Sequence, residues 1–100
     1  MIYLNSQTPV MLAAKAVDFR RGIDGLAGLC EHELKHNPRS GILFVFISRD
    51  ATKIRILAYK ENGYWLMTKR LSTGRFSWPK FGDAISNVQA GELRKLLSGC

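Results

Sequence analysis

The chain is 100 residues long and 46% hydrophobic, with 15 Lys and Arg against 8 Asp and Glu, a formal net charge of +7. A chain of this length buries roughly 60 to 65% of its unfolded surface, which builds one modest core and excludes a large fold with separate nucleotide and substrate sites. The hydrophobic fraction argues against wholesale disorder, and no apolar run approaches the roughly 20 residues of a membrane span.

In chain order, residues 1–22 lack the charged start, apolar run and cleavage site of a secretory signal, so the expected location is cytoplasmic. Val10 to Ala16 reads as a short strand after Pro9. Asp18 is a good N-cap, and Phe19, Ile23, Leu26, Ala27, Cys30 and Leu34 follow helical spacing up to Pro38, predicting a helix over about 19–36. Gly22, Gly25 and Gly28 lie within it, each costing about 1 kcal/mol against Ala. They form either a ridge for close packing or a sign that the helix starts later. Cys30 reads as a small buried apolar residue and Cys100 as a terminal thiol, in a reduced compartment.

Gly41 to Arg49 contains six consecutive apolar residues rich in β-branched and aromatic types, the pattern of a strand buried on both faces. Lys53–Lys60 and Tyr64–Leu71 flank Asn62-Gly63, a strong hairpin signal. Ser72-Thr73-Gly74 turns the chain into a short fourth strand, Arg75–Trp78, which Pro79 closes. Ser86–Gln89 resembles a capping box, and Ala90, Leu93, Leu96 and Leu97 form an apolar stripe, giving a helix over about 88–98. The expected fold class is α+β: a single domain over 1–100, with an antiparallel β-meander of three to five strands, one longer N-terminal helix and a short C-terminal helix.

The charge is uneven. Lys35 to Lys80 holds ten basic residues against two acids, while the rest of the chain totals −1. Such asymmetry suggests a polyanionic partner. With Asn62-Gly63 as the loop, opposed residues of the hairpin sum to 125. One face then carries Ile54, Ile56, Ala58, Trp65, Met67 and Leu71; the other carries Lys53, Arg55, Leu57, Tyr59, Tyr64, Leu66, Thr68 and Arg70. Arg55 directly faces Arg70, and like charges opposed across strands ask for a bridging anion such as phosphate. Tyr59 and Tyr64 are placed to stack on unpaired bases.

His32-Glu33-Leu34-Lys35-His36 matches H-E-x-x-H, in which two histidines one helical turn apart bind zinc and the glutamate is general base. No third histidine supplies the remaining ligand, and Pro38 breaks the helix at once, so neither metal nor cofactor is expected beyond adventitious binding by His32 and His36. No phosphate-binding glycine loop or nucleophile elbow occurs, and the chain reads as non-enzymatic.

Three blocks, Asp18–Leu26, Ser40–Phe46 and Lys69-Arg70-Leu71-Ser72-Thr73-Gly74-Arg75-Phe76-Ser77-Trp78-Pro79, resemble the accessory TnpB-type proteins of bacterial insertion sequences, across nearly the whole chain and in the same order. The resemblance implies an element-encoded protein that assists transposition without being the strand-transfer enzyme, and carries no catalytic role onto any residue. The expected partners are DNA, held through Arg49, Lys53, Arg55, Lys69, Arg70, Arg75 and Lys80, and the element's transposase. Phe76 and Trp78 would be exposed anchors for that protein partner, and Arg20 and Arg21 further contacts; docking without DNA binding is the alternative.

Overall fold

The computed structural model describes residues 7–78, 85–88 and 90–97. Its strands are β1 (Val10–Ala13), β2 (Leu43–Ile47), β3 (Lys53–Lys60), β4 (Gly63–Arg70) and β5 (Ile85–Val88); its helices are α1 (Ile23–His32) and α2 (Ala90–Leu97). The strands form one sheet in the order β4-β3-β2-β1-β5.

The centre of the sheet follows from composition. Every residue of β2 is buried, which only a strand covered on both faces permits. Leu43, Val45 and Ile47 join Val10, Leu12, Ile54, Ile56, Phe76 and Leu93 on one side. Phe44 and Phe46 join Leu26, Leu29, Cys30 and Leu57 on the other. The sheet is therefore the middle of three layers, with α1 on one face and Phe76 with α2 on the other. Burial pushes the Cys30 thiol up to about 12, so it stays protonated and inert at neutral pH.

The expected meander with a long first helix is corrected in three respects. First, the sheet is mixed: β1 pairs with β2 in parallel, Val10 with Leu43 through Leu12 with Val45, and with β5 in antiparallel, Val10 with Val88 through Ala13 with Ile85. The parallel pair is joined by a crossover containing α1, a long-range pairing that no turn signal announces.

Second, α1 has ten residues, not eighteen. The Asp18 carboxylate does not cap it, because it accepts from the Arg20 amide at 2.9 Å and from the Arg20 guanidinium at 2.7 Å. Gly22 is the N-cap, with no side-chain bond. At the other end Lys35 adopts φ +60° and the His36 amide donates to the Cys30 carbonyl at 2.9 Å. A Cβ at Gly22 or Gly28 would meet nothing within 4 Å. At Gly25 a Cβ would come within 3.1 Å of the Arg21 Cβ, so one of the three glycines admits a close approach, of the Arg21 side chain, while Gly22 and Gly28 go with the later start of a weak helix.

Third, 75–78 is not a strand, and 85–88 is one. The Phe76 amide donates to the Ala51 carbonyl at 2.8 Å, which turns the ring into the core. The residues of the expected capping box lie in β5, except Gln89, which is outside the described residues.

The β3–β4 hairpin forms with a shifted register. Glu61 and Asn62 occupy the left-handed region at φ 57° and 65°, so they are the two-residue loop, as a type I′ turn requires. Gly63 is the first residue of β4, opposite Lys60, and Arg55 faces Thr68. The shift moves each partner by two positions, so both faces keep their expected residues. Among the described residues, no helix is long and apolar enough to cross a membrane.

Candidate nucleic-acid interface

The cations expected to bind DNA divide into those engaged within the fold and those left unpaired. Arg55 belongs to the first group. Its Nη1 donates to the carbonyls of Phe19 at 2.6 Å and Arg21 at 3.0 Å, its Nε donates to Thr68 Oγ1 at 3.0 Å, and its guanidinium lies 4.7 Å from the Phe19 ring centroid. It fastens the segment after β1 to the sheet, and its Nε and Nη1 donors are committed to that work. The expected Arg55–Arg70 pair does not exist. Lys69 is also engaged: its Nζ donates to the Leu97 carbonyl at the end of α2, where the helix dipole favours a cation.

At the turn end of the hairpin, the Arg39 guanidinium lies 5.1 Å from the Tyr59 centroid and 5.9 Å from that of Tyr64. The two rings meet edge to face at 5.0 Å. A hydrogen bond with Tyr64 and the charge interactions with the Tyr59 and Tyr64 phenols raise the Arg39 pKa. Arg20, bridged to Asp18 at 2.7 Å, is engaged but remains highly exposed. Its guanidinium holds the Asp18 carboxyl far below the usual carboxylate range.

The unpaired cations gather at the opposite, open end of the hairpin. Lys53 stands directly across from Arg70, so a like-charge pair exists two positions from the expected one. Arg49 projects from the β2–β3 turn and lines a cleft with Lys53. Arg75 is exposed in the segment after β4. No ion pair or side-chain hydrogen bond is made by Arg49, Lys53, Arg70 or Arg75 among the described residues. The acid in this turn, Asp50, is occupied as well, accepting from Thr52 Oγ1 at 2.7 Å and Ser48 Oγ at 2.8 Å. Lys80 lies outside the described residues.

The expected protein anchors are placed differently. Phe76 is 4% exposed and belongs to the core. Trp78 is half-buried, and its Nε1 donates to the Ala13 carbonyl at 3.0 Å. The exposed large apolar residue is Trp65 on β4, at 41%. Its signal in the sequence was its place on the expected core face; what could not be seen is that β4 is an edge strand. Lys15 was also missed, since it stands outside the basic half of the chain and joins the open end only through the fold.

The H-E-x-x-H stretch loses the geometry its chemistry needs. α1 ends at His32, and the left-handed Lys35 turns the chain before His36. The two histidines therefore do not share one helical face. Among the described residues, no three of His, Cys, Asp and Glu assemble as a metal-binding group.

Comparison with known proteins places this arrangement in context. The family model described as IS66 Orf2 like protein matches residues 8–100. The chain belongs to this family. Members of the IS66 Orf2-like family are accessory proteins associated with transposition and are not known as enzymes. Two curated relatives come from Sinorhizobium fredii (strain NBRC 101917 / NGR234). "Uncharacterized protein y4jC" is 33% identical over 90 residues, covering 90% of this chain and 77% of the relative. "Uncharacterized protein y4hO" is 37% identical over 90 residues, covering 90% and 78%. No solved structure gives a significant match.

Proposed function

We propose that this IS66 Orf2-like protein assists transposition by holding the DNA backbone at the open end of the β3–β4 hairpin, in the cytoplasm and without strong sequence preference. The observation that carries the reading is the Lys53–Arg70 pair, two cations opposed across strands, neither of them in an ion pair among the described residues, with Asp50 acting on Lys53 only at longer range. Opposed like charges destabilise a sheet, and a bridging phosphate removes the repulsion. Arg49 and Arg75 extend the patch, and none of the four is tied into a frame that would orient it for base readout. Lys80 belongs to the same proposal by sequence. Arg55 and Lys69 support it indirectly, by bracing the elements that carry the contacts.

Fluorescence anisotropy on labelled duplex DNA tests the reading. Affinity should fall by orders of magnitude between roughly 50 and 200 mM salt, and Lys53→Ala and Arg70→Ala should each reduce the logarithmic salt slope by about one. Absence of binding at low salt would reject the proposal.

The second reading, docking on the element's transposase, is favoured by Trp65, an exposed aromatic beside the half-buried Met67 on the α2 side of β4. Aromatic anchors of this kind dominate protein interfaces. A Trp65→Ala variant that loses co-purification with the transposase while keeping DNA affinity would assign the two functions to two surfaces.

A further inference from the structure

Beside the carboxyl ends of the parallel pair β1–β2, the segment after β1 and the end of α1 line a partly open recess of about 470 Å³. Crevices at the carboxyl ends of parallel strands are the usual ligand sites of open sheets, and this volume is of the size that receives a small organic ligand. Three cations line it, Lys15, Arg21 and Arg49. Like the cations of the open end, they make no ion pair or side-chain hydrogen bond among the described residues. The floor is apolar, supplied by Val17, Leu29 and Leu34. Two acids, Asp18 and Glu33, also line the cavity; Asp18 is already bridged by Arg20, leaving the Glu33 carboxylate as a free acceptor.

The three kinds of lining point to one kind of occupant. Unpaired cations call for an anion, an apolar floor for a flat or aliphatic body, and a carboxylate for N–H or O–H donors. A nucleotide carries all three, whereas inorganic phosphate carries only the first. Arg49 lines both this cavity and the adjoining cleft that contains Lys53, and Lys53 stands across from Arg70, so cations lead from β4 to the recess past two carboxylates, Asp50 and Asp18, that are already hydrogen-bonded to Ser48, Thr52 and Arg20. A line of cations that ends in a recess fits a polyphosphate chain whose last unit is unpaired. The phosphates of an intact duplex lie on a convex rod and do not enter such a recess, whereas a nucleotide freed from its partner does, at low unpairing cost when it is already single-stranded.

We infer that the recess lined by Lys15, Arg21 and Arg49 receives an unpaired nucleotide at a DNA end or flap, with its phosphate on the arginines and its base over Val17, Leu29 and Leu34. The inference rests on the DNA-backbone reading above and adds a preference for DNA carrying a single-stranded extension.

The test uses the full chain and three labelled probes: a blunt duplex, the same duplex with a four-nucleotide 3′ overhang, and the same duplex with a four-nucleotide 5′ overhang. At least one overhang should bind about tenfold more tightly than the blunt end, the effect of one added charge-assisted contact. Ala16→Trp, at the rim of the recess, and Arg21→Ala should abolish that difference while leaving blunt-end affinity unchanged. Circular dichroism melting of both variants establishes that they fold; if Ala16→Trp does not, Arg21→Ala alone decides. Equal affinity for blunt and extended DNA, or a preference that survives Arg21→Ala, overturns the inference and leaves the backbone reading intact. Displacement of a labelled acidic peptide in place of overhang DNA would likewise overturn it, assigning the recess to a protein carboxylate. Loss of all salt-dependent binding would instead remove the backbone reading on which the inference stands.

Discussion

The two ends of the β3–β4 hairpin carry similar residues and differ in what those residues are free to do. At the turn end, Arg39 lies against Tyr59 and Tyr64 and is committed to their rings. At the open end, Lys53 and Arg70 oppose each other and neither forms an ion pair among the described residues. Arg55 sits two residues from Lys53 on the same face, yet holds two carbonyls and a hydroxyl. Net charge is thus a poor guide to a binding surface; what matters is which cations the fold has left unsatisfied, because only those meet a ligand without first giving up an internal bond.

The largest expected effect concerns a residue that sequence alone would place outside. Phe76→Ala removes a ring from the core and should cost about 3 to 5 kcal/mol, lowering the melting temperature by more than about 10 °C. Its neighbour Arg75 is exposed, and Arg75→Ala should leave the melting temperature within a few degrees while weakening DNA binding. If Phe76→Ala melted normally and lost only partner binding, the inward placement of this segment would be wrong.

A second contrast isolates the two kinds of cation. Arg55→Met strips three hydrogen bonds and leaves the Phe19 and Arg21 carbonyls without their charged donor; it should cost about 2 to 3 kcal/mol. Lys53→Met, two residues away on the same strand face, should change stability by no more than about 0.5 kcal/mol, and relief of its repulsion with Arg70 makes a small gain the expected sign. Affinity for duplex DNA should follow the reverse order once both proteins are compared well below their melting temperatures. Equal stability losses would erase the distinction between engaged and unpaired cations.

How far this could be seen in advance depends on the range of the interaction concerned. The apolar run of β2 and the alternation of β3 and β4 are local patterns, and the two faces of the hairpin came out with their expected residues. The register did not, because Asn62 entered the second loop position and Glu61 the first, each at positive φ, leaving Gly63 to begin β4. That choice moved the like-charge pair from Arg55 to Lys53. Asp18 looked like a cap because its spacing to the apolar stripe was right, but Arg20 two residues on offered it a stronger partner. The parallel pairing of β1 and β2, the recess beside it and the inward turn of Phe76 and Trp78 all depend on contacts between segments far apart in the chain. No local period encodes those, which is why the open end was legible as basic but not as a built surface.

A smaller effect probes the end of α1. Lys35 adopts φ +60° where the helix closes, a conformation that costs a side-chain-bearing residue about 1 kcal/mol or slightly more and glycine almost nothing. Lys35→Gly should therefore stabilise the protein by about 1 kcal/mol, partly offset by the added freedom of the unfolded chain, and should leave DNA binding unchanged because Lys35 lies away from the open end. A destabilised Lys35→Gly variant would mean that the turn before His36 is not as described.

The smallest effect lies in acid and concerns the carboxylate set among the free cations. Hydrogen bonds from the Thr52 hydroxyl, the Ser48 hydroxyl and the Thr52 amide lower the Asp50 pKa from 3.8 to about 2. A pKa depressed in the folded state means that the unfolded chain binds the proton more readily, so the stabilisation is complete above the unfolded value and is lost as pH falls through the folded one. Asp50 should therefore contribute a decline in melting temperature between about pH 4 and pH 2, and Asp50→Asn, which keeps an acceptor oxygen but cannot titrate, should flatten that part of the curve. Asp18, held lower still by Arg20, continues the decline at more acid pH in both proteins. At neutral pH the same substitution removes a negative charge from the β2–β3 turn and should tighten DNA binding slightly at low salt. Parallel melting curves for the two proteins from pH 4 to pH 2 would show that the carboxylate is not held by Ser48 and Thr52, and that the open end contains an acid able to neutralise Lys53.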